Sequence, residues 1–315
     1  MSGWTHPESP FHAGEIAIQE RLGVRDQIDK QARRIVRDYL PEQHRLFFAQ
    51  LPFLLVGTVV QGHPWASILV DKPGFLSTPD ERTLHVASRP LLGDPLAHHL
   101  SEGIDMGLLG IEFHTRRRNR LNGVVVASDA TGFTLQVGQS FGNCPMYIQS
   151  RTVEWLERAE DFAPPLYELT TLGPPERTLI GTADTFFIAT AFRGDAAGRA
   201  KGVDVSHRGG KPGFVRIEDE RTLMIPDFTG NFHFNTLGNL LLDPHAGLLF
   251  LDFKQGDLLY LTGTAELIWE PQAIQAFAGA ERLLRFHLTG GRRVVGSLPL
   301  RWSDPVCSPF LERMG

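Results

Sequence analysis

Ser206, His207, Arg208 and Lys211 fall in one short run, SHRGGK, next to the Gly209-Gly210 pair and just ahead of a turn at Pro212-Gly213. Arginine offers a rigid fork of charged donors, serine adds a hydroxyl, and glycine lets backbone amides come close. Together they suit a phosphate ester. Downstream, Asn231, Asn235 and Asn239 recur at four-residue intervals, a spacing that would put three amides on one face of a helix. A second cationic run, TRRRNRLNG, precedes the apolar VVVA. On a strand, Arg116, Arg118 and Arg120 would share one face and Arg117 and Asn119 the other. Adjacent guanidiniums repel unless an anion or carboxylate lies between them. The run is therefore either a solvated edge strand with Glu112 as partner or a contact to a bound phosphate or anionic substrate, with nucleic acid a third and lesser reading.

The elements that must position these groups read as strands. Alternation at Val203 and Val205, then at Phe214, Val215 and Ile217, and again at Leu223 and Ile225 predicts a hairpin, with the SHRGGK run as its loop. The same pattern occurs earlier in the chain. Lys72-Pro73-Gly74-Phe75 returns 139 residues later as Lys211-Pro212-Gly213-Phe214, and Asp80–Leu84 returns as Asp219–Leu223 at the same interval. Gly107-Leu108-Leu109 and Leu121-Asn122-Gly123 return 140 residues later as Gly247-Leu248-Leu249 and Leu261-Thr262-Gly263. This order of matches predicts a tandem duplication of one β-rich unit, closed into small antiparallel barrels. The copies differ in their polar groups. Arg208 falls on Leu69, the three asparagines on Leu92, Leu96 and Leu100, and Arg118 and Arg120 on Leu258 and Tyr260.

From Ser206 to Leu251 the sequence carries S-x-R-G-G-x-P-G-F, I-P-D-x-x-G-N and D-P-x-x-G-L-L-F-L. In these motifs it resembles the FMN-binding split barrels related to pyridoxamine 5'-phosphate oxidase. The GLLGIEFHTRRRNRLNG run resembles the first barrel of members fused to a ferredoxin-reductase-like module. The resemblance implies a mainly β protein with flanking helices, made of two tandem split barrels packed as a pseudo-dimer. It also implies FMN as cofactor, and a flavin-dependent oxidoreductase acting on a small molecule. The implied cofactor residues are Ser206, His207, Arg208, Gly209, Lys211, Gly213, Phe214, Asn231, Asn235 and Asn239 of the second half, with Arg118, Arg120, Asn143 and Tyr147 of the first. One composite site per chain follows, its symmetry mate apolar. A non-catalytic flavin- or heme-binding module, or an electron-transfer subunit served by a separate reductase, is the alternative. His12 and Glu15 match the family's amino-terminal segment without an assigned role.

Composition sets outer bounds. The chain has 315 residues, 42% hydrophobic and 21% charged, with a formal net charge of -5 that argues against nucleic acid as main partner. Its two cysteines, Cys144 and Cys307, make no metal-type pair and suit a reducing cytoplasm. No metal site, secretory leader or membrane span is expected. Residues 1–44 read as an arm with helices, 45–162 as the first barrel, 163–178 as a proline-rich linker and 179–315 as the second barrel, in a monomer with an internal pseudo-two-fold or a homodimer. Residues 153–159 are expected to be helical, and Phe228 and Phe232 to belong to the core.

Overall fold

The computed structural model describes residues 3–157 and 162–312. The first half opens with helices α1 (Ala13–Arg21), α2 (Arg25–Ile35) and α3 (Glu42–Ala49). Strands β1 (Phe53–Val60), β2 (His63–Val70), β3 (Leu76–Ser77), β4 (Thr83–Val86), β5 (Asp105–Glu112), β6 (Arg117–Ser128) and β7 (Phe133–Asn143) follow. After β8 (Val153–Trp155), β9 (Leu166–Leu169) and α4 (Pro174–Thr182) come β10 (Thr185–Phe192), β11 (Gly202–Gly209), β12 (Arg216–Ile217) and β13 (Thr222–Phe228). The chain ends with α5 (Asn235–Leu242), β14 (His245–Leu251), β15 (Leu258–Ile268), α6 (Pro271–Ile274), β16 (Ala280–Val294), β17 (Leu300–Trp302) and α7 (Pro309–Glu312).

The strand orders are β2-β1-β5-β6-β7-β4-β3 and β11-β10-β14-β15-β16-β13-β12, all antiparallel and identical position by position. The duplication read in the motifs is thus one of topology. Each sheet curls around its own core. Leu54, Leu69, Leu84, Leu108, Leu121 and Leu135, from six different strands, share one buried cluster, as only a sheet wrapped on itself permits. Register shifts at Asn122/Gly123 and Thr262/Gly263 put a bulge at the same place in both halves, where extra twist assists curling. Each half is a split barrel.

The barrels meet along the outer faces of their central strands. In FLLVGTVV of β1 and TFFIATAF of β10, almost every residue is buried. Alternate side chains fill their own barrel while Phe53, Leu55, Phe187 and Ala189 enter a seam core shared by both halves. Strands buried on both faces need this unbroken apolar run. The seam is reciprocal. A Cβ on Gly107 of β5 would stand 2.2 Å from the Val203 carbonyl oxygen at β11, and one on Gly247 of β14 would stand 2.4 Å from that of Pro64 at β2. This is isologous packing within one chain.

Several expectations change. The arm is inserted rather than laid on the surface, for Trp4, Phe11 and His12 are buried. Val153–Trp155, expected as helix, is the strand β8 paired with β17, and residues 158–159 of that stretch lie outside the described residues. Within the run expected as linker, Leu166–Leu169 form β9 and pair with β16. Among the described residues no helix is long and apolar enough to cross a membrane.

Candidate active site

One cleft lies where β6 and the end of β7 of the first barrel face β11, the end of β13 and the 229–237 segment of the second. Arg118 and Arg120, two apart on β6, reach it from one side, and Ser206 and Arg208, two apart on β11, from the other. Of the fourteen residues singled out from the sequence, eleven line it: Arg118, Arg120, Asn143, Tyr147, Ser206, His207, Arg208, Gly209, Phe214, Asn231 and Asn235. Lys211 and Gly213 sit on the exposed turn beyond β11, away from the cleft, and Asn239 is buried behind it. Ser206, His207 and Arg208 belong to a strand rather than a hairpin loop. Asn231 precedes the helix, because Phe234 at its N-cap is left-handed, so only Asn235 and Asn239 share a helical face. Arg116 does not join Arg118 and Arg120. It is left-handed ahead of β6 and donates to the carbonyls of Ile148, Val306 and Cys307.

The guanidiniums are unequally matched. Arg120 donates to Asp204 Oδ1 at 3.2 Å, to Asn235 Oδ1 at 3.3 Å and to Ser206 Oγ. Arg208 pairs with Asp227, but that carboxylate also holds Arg282 at 2.7 Å. Among the described residues Arg118 has no carboxylate partner; it meets the Cys144 carbonyl at 2.9 Å, the Cys144 Sγ at 3.7 Å and His207 Nδ1 at 3.3 Å. The Nε atoms of Arg120 and Arg208 are buried with no hydrogen-bond partner among the described residues. Buried donors without acceptors, in a cleft with more guanidiniums than carboxylates, fit an anion. The sequence reading gave no role to Asp204, 84 residues from Arg120, or to Asp227, the aspartate of the I-P-D-x-x-G-N motif, 19 residues from Arg208.

Burial first, then the charges of Arg118, Arg208 and Arg151, hold His207 well below its ordinary pKa, so it is neutral. Burial pushes the Tyr147 phenol up to about 12. Burial also draws Arg120 down to about 10, still charged at neutral pH. Tyr147, Phe232 and Phe234 line the cleft with φ of 66°, 59° and 61°. Left-handed non-glycine residues cost on the order of 1–3 kcal/mol and gather at ligand sites. Phe228 and Phe232, expected in the core, are half-buried cleft residues, and Phe232 also packs against the buried cluster of Trp4, Phe11 and Phe141.

Behind the cleft, the arm joins a buried polar network. His12 Nε2 meets Asn239 Oδ1 at 2.8 Å, Glu15 accepts from Asn235, and Asn239 donates to Asp204 Oδ2 at 2.9 Å. Gly14 packs against the backbone of Gly238, bringing α1 onto α5. Burial, and secondly the charge of Asp204, hold the Glu15 carboxyl well above its ordinary 4.5. Such an acid binds its proton more tightly when folded. Its contribution to stability is therefore present at low pH and lost as pH climbs from about 4.5 toward the raised value. Glu15→Gln is expected to lose less stability than the native chain between pH 5 and 8, measured as urea midpoints at the two pH values; parallel pH dependences would exclude this role.

The mirror position in the first half is a cavity of about 560 Å³ lined by Leu91, Leu92, Asp94, His98 and Arg292. It is not wholly apolar, as expected from the leucines alone. Arg292 is held by Glu168 and the Gly93 carbonyl, each at 3.2 Å. Deeper in, Tyr260 and Ser67 donate to Asp94 at 3.1 and 2.6 Å. No guanidinium takes the places of Arg118, Arg120 or Arg208, which are filled by Leu258, Tyr260 and Leu69, all buried.

No family model matches the sequence, and no curated protein does. Similar solved structures include HupZ of Group A Streptococcus, 15% identical over 37% of this chain and 89% of HupZ, with a TM-score of 0.30. A candidate pyridoxamine 5'-phosphate oxidase of Lactobacillus delbrueckii is 14% identical over 39% of this chain and 94% of its own, with a TM-score of 0.30. An FAD-binding protein of Mesorhizobium loti is 15% identical over 41% and 97%, with a TM-score of 0.27.

Proposed function

We propose that the interbarrel cleft binds FMN and that the protein is a flavin-dependent oxidoreductase acting on a small molecule. The observation that carries the reading is the meeting of Arg118, Arg120 and Arg208 with Ser206 in one cleft, where carboxylates leave part of their charge and two buried Nε donors unanswered. The cleft interior is about 110 Å³, and with its open mouth the empty space is about 860 Å³. The interior suits a phosphate group, below the ~300–1,000 Å³ usual for larger ligands, so the rest of a nucleotide would use the mouth.

In this reading Arg118, Arg120, Arg208 and Ser206 hold the phosphate, and Tyr147, Phe228 and Phe232 offer aromatic faces to the ring. FMN supplies the electron-transfer chemistry when bound. The chain's own groups position it and exclude water. His207, neutral, accepts from Arg118 at Nδ1, which leaves its proton on Nε2. Tyr147 keeps its proton throughout the neutral range. With His207 neutral and Tyr147 and Arg120 keeping their protons, FMN affinity is expected to rise from pH 6 to 8 with the second ionisation of the ligand's own phosphate, whose pKa is ~6.

Titration with FMN, followed by flavin fluorescence, tests the assignment. Arg208→Gln is expected to weaken binding about ten- to a hundred-fold, the loss of one charge-assisted contact. Unchanged affinity in that variant, or no binding by the native protein, would overturn it.

A further inference from the structure

A second cavity lies along the same seam, where β1 and β5 meet the ribbon formed by β8 and β17. Its volume is about 480 Å³, inside the ~300–1,000 Å³ typical of small-molecule sites. Phe53 and Phe113 are stacked in its wall with centroids 5.9 Å apart and planes 25° from parallel. Trp302 stands edge-on to both, at 5.7 and 6.5 Å. Trp155, 39% exposed, adds to the lining, and Lys72, Glu112, His114 and Glu157 form its polar part, one of the two glutamates, Glu112, already accepting from Gln50. Packed on one another in this way, the rings make one aromatic wall against which a flat ring can lie.

Set beside these aromatic rings are donors without acceptors. Among the described residues the indole Nε1 of Trp302, a residue 3% exposed, has no hydrogen-bond partner, and neither do Nε and Nη1 of Arg151, 6% exposed. Arg151 uses Nη2 alone, toward Asp184 Oδ2 at 2.6 Å, while its guanidinium lies 4.2 Å from the Phe253 ring centroid. Ion pair and ring together fix the guanidinium, leaving two of its nitrogens unanswered. Buried N–H groups are almost always paired, so three unpaired ones on two residues of one lining point to an oxygen acceptor brought by a ligand. Charge-assisted bonding from arginine favours a carboxylate over a neutral carbonyl.

We propose that this cavity binds a small planar aromatic carboxylate, its ring against Phe53, Phe113 and Trp302 and its oxygens on Trp302 Nε1 and Arg151. The Phe113 ring lies 6.4 Å from that of His207, which lines the phosphate-binding cleft, so the two sites share a wall one side chain thick. The proposal stands on its own residues and does not require the flavin reading.

Calorimetric titration of the native full-length protein with 2-naphthoate tests it, with and without added FMN. One saturable site is expected in both cases. 2-Naphthalenemethanol, which keeps the ring and lacks the charge, should bind at least about ten-fold more weakly. Trp302→Phe keeps an aromatic wall and removes only the indole donor; it should weaken 2-naphthoate several-fold, as should Trp155→Ala at a half-exposed position. Arg151→Gln should weaken it most, and if that variant does not fold the other two decide. No saturable heat up to millimolar 2-naphthoate, equal binding of the alcohol, or full affinity in Trp302→Phe would each overturn the proposal.

Discussion

Arg120→Leu is expected to cost about 3–5 kcal/mol of folding stability, the usual penalty for removing one partner of a buried ion pair. Arg120 and Asp204 are each 7% exposed, and the guanidinium also holds Ser206 and Asn235. The loss leaves Asp204 with the amides of Asn122 and Asn239, each at 2.9 Å, and no cation. Urea unfolding measures the cost. The double variant Arg120→Leu with Asp204→Leu should recover much of it, because an apolar pair of this kind is often neutral in a core. A single-variant loss below about 1 kcal/mol would mean that the pair behaves like a surface bridge. Both variants should fail to retain FMN, so stability and binding separate in the double variant. That separation distinguishes a ligand-facing guanidinium from a purely structural one.

Gly247→Val is expected to be as damaging, by another route. Its Cβ would fall 2.4 Å from the Pro64 carbonyl oxygen, and the atom in the way is backbone from the other barrel. Neither sheet can yield without disturbing the seam core, so the cost should exceed the roughly 1–3 kcal/mol of ordinary overpacking. Gly107→Val, its counterpart against Val203, should behave alike. Gly290→Ala is the control, since a Cβ there meets nothing within 4 Å. Urea midpoints of the three variants measure the effect. Native-like stability in either valine variant would show that the barrels do not pack this closely.

What the sequence made legible was whatever repeats or alternates. The copied KPGF and DERTL motifs gave two units, and the period-two pattern gave their strands. The cleft could be read from Arg118, Arg120 and Arg208 because each copy acted as a control for the other. Local conformation was less legible. Asn231 lies at helical spacing from Asn235, but two left-handed phenylalanines, Phe232 and Phe234, intervene, and no propensity marks those positions. Arg116 has the same chemistry as Arg118 and is turned away by its own backbone. Val153–Trp155 carries no strong period, and its partner strand lies at the far end of the chain. Asp204 and Asp227 were passed over because a carboxylate's significance depends on which guanidinium folding brings beside it.

Joining the halves changes what mutation can do. In an assembly of two identical subunits, any substitution is written into both clefts together. Here Arg208 and Leu69, Arg120 and Tyr260, Arg118 and Leu258 are separate codons at equivalent places. One cleft can keep its charge while the other is freed to drift, and the drifting copy still holds the barrel that walls the charged one. The polypeptide thus carries a second, separately encoded version of the place, which can change so long as Leu258 and Tyr260 keep filling the seam.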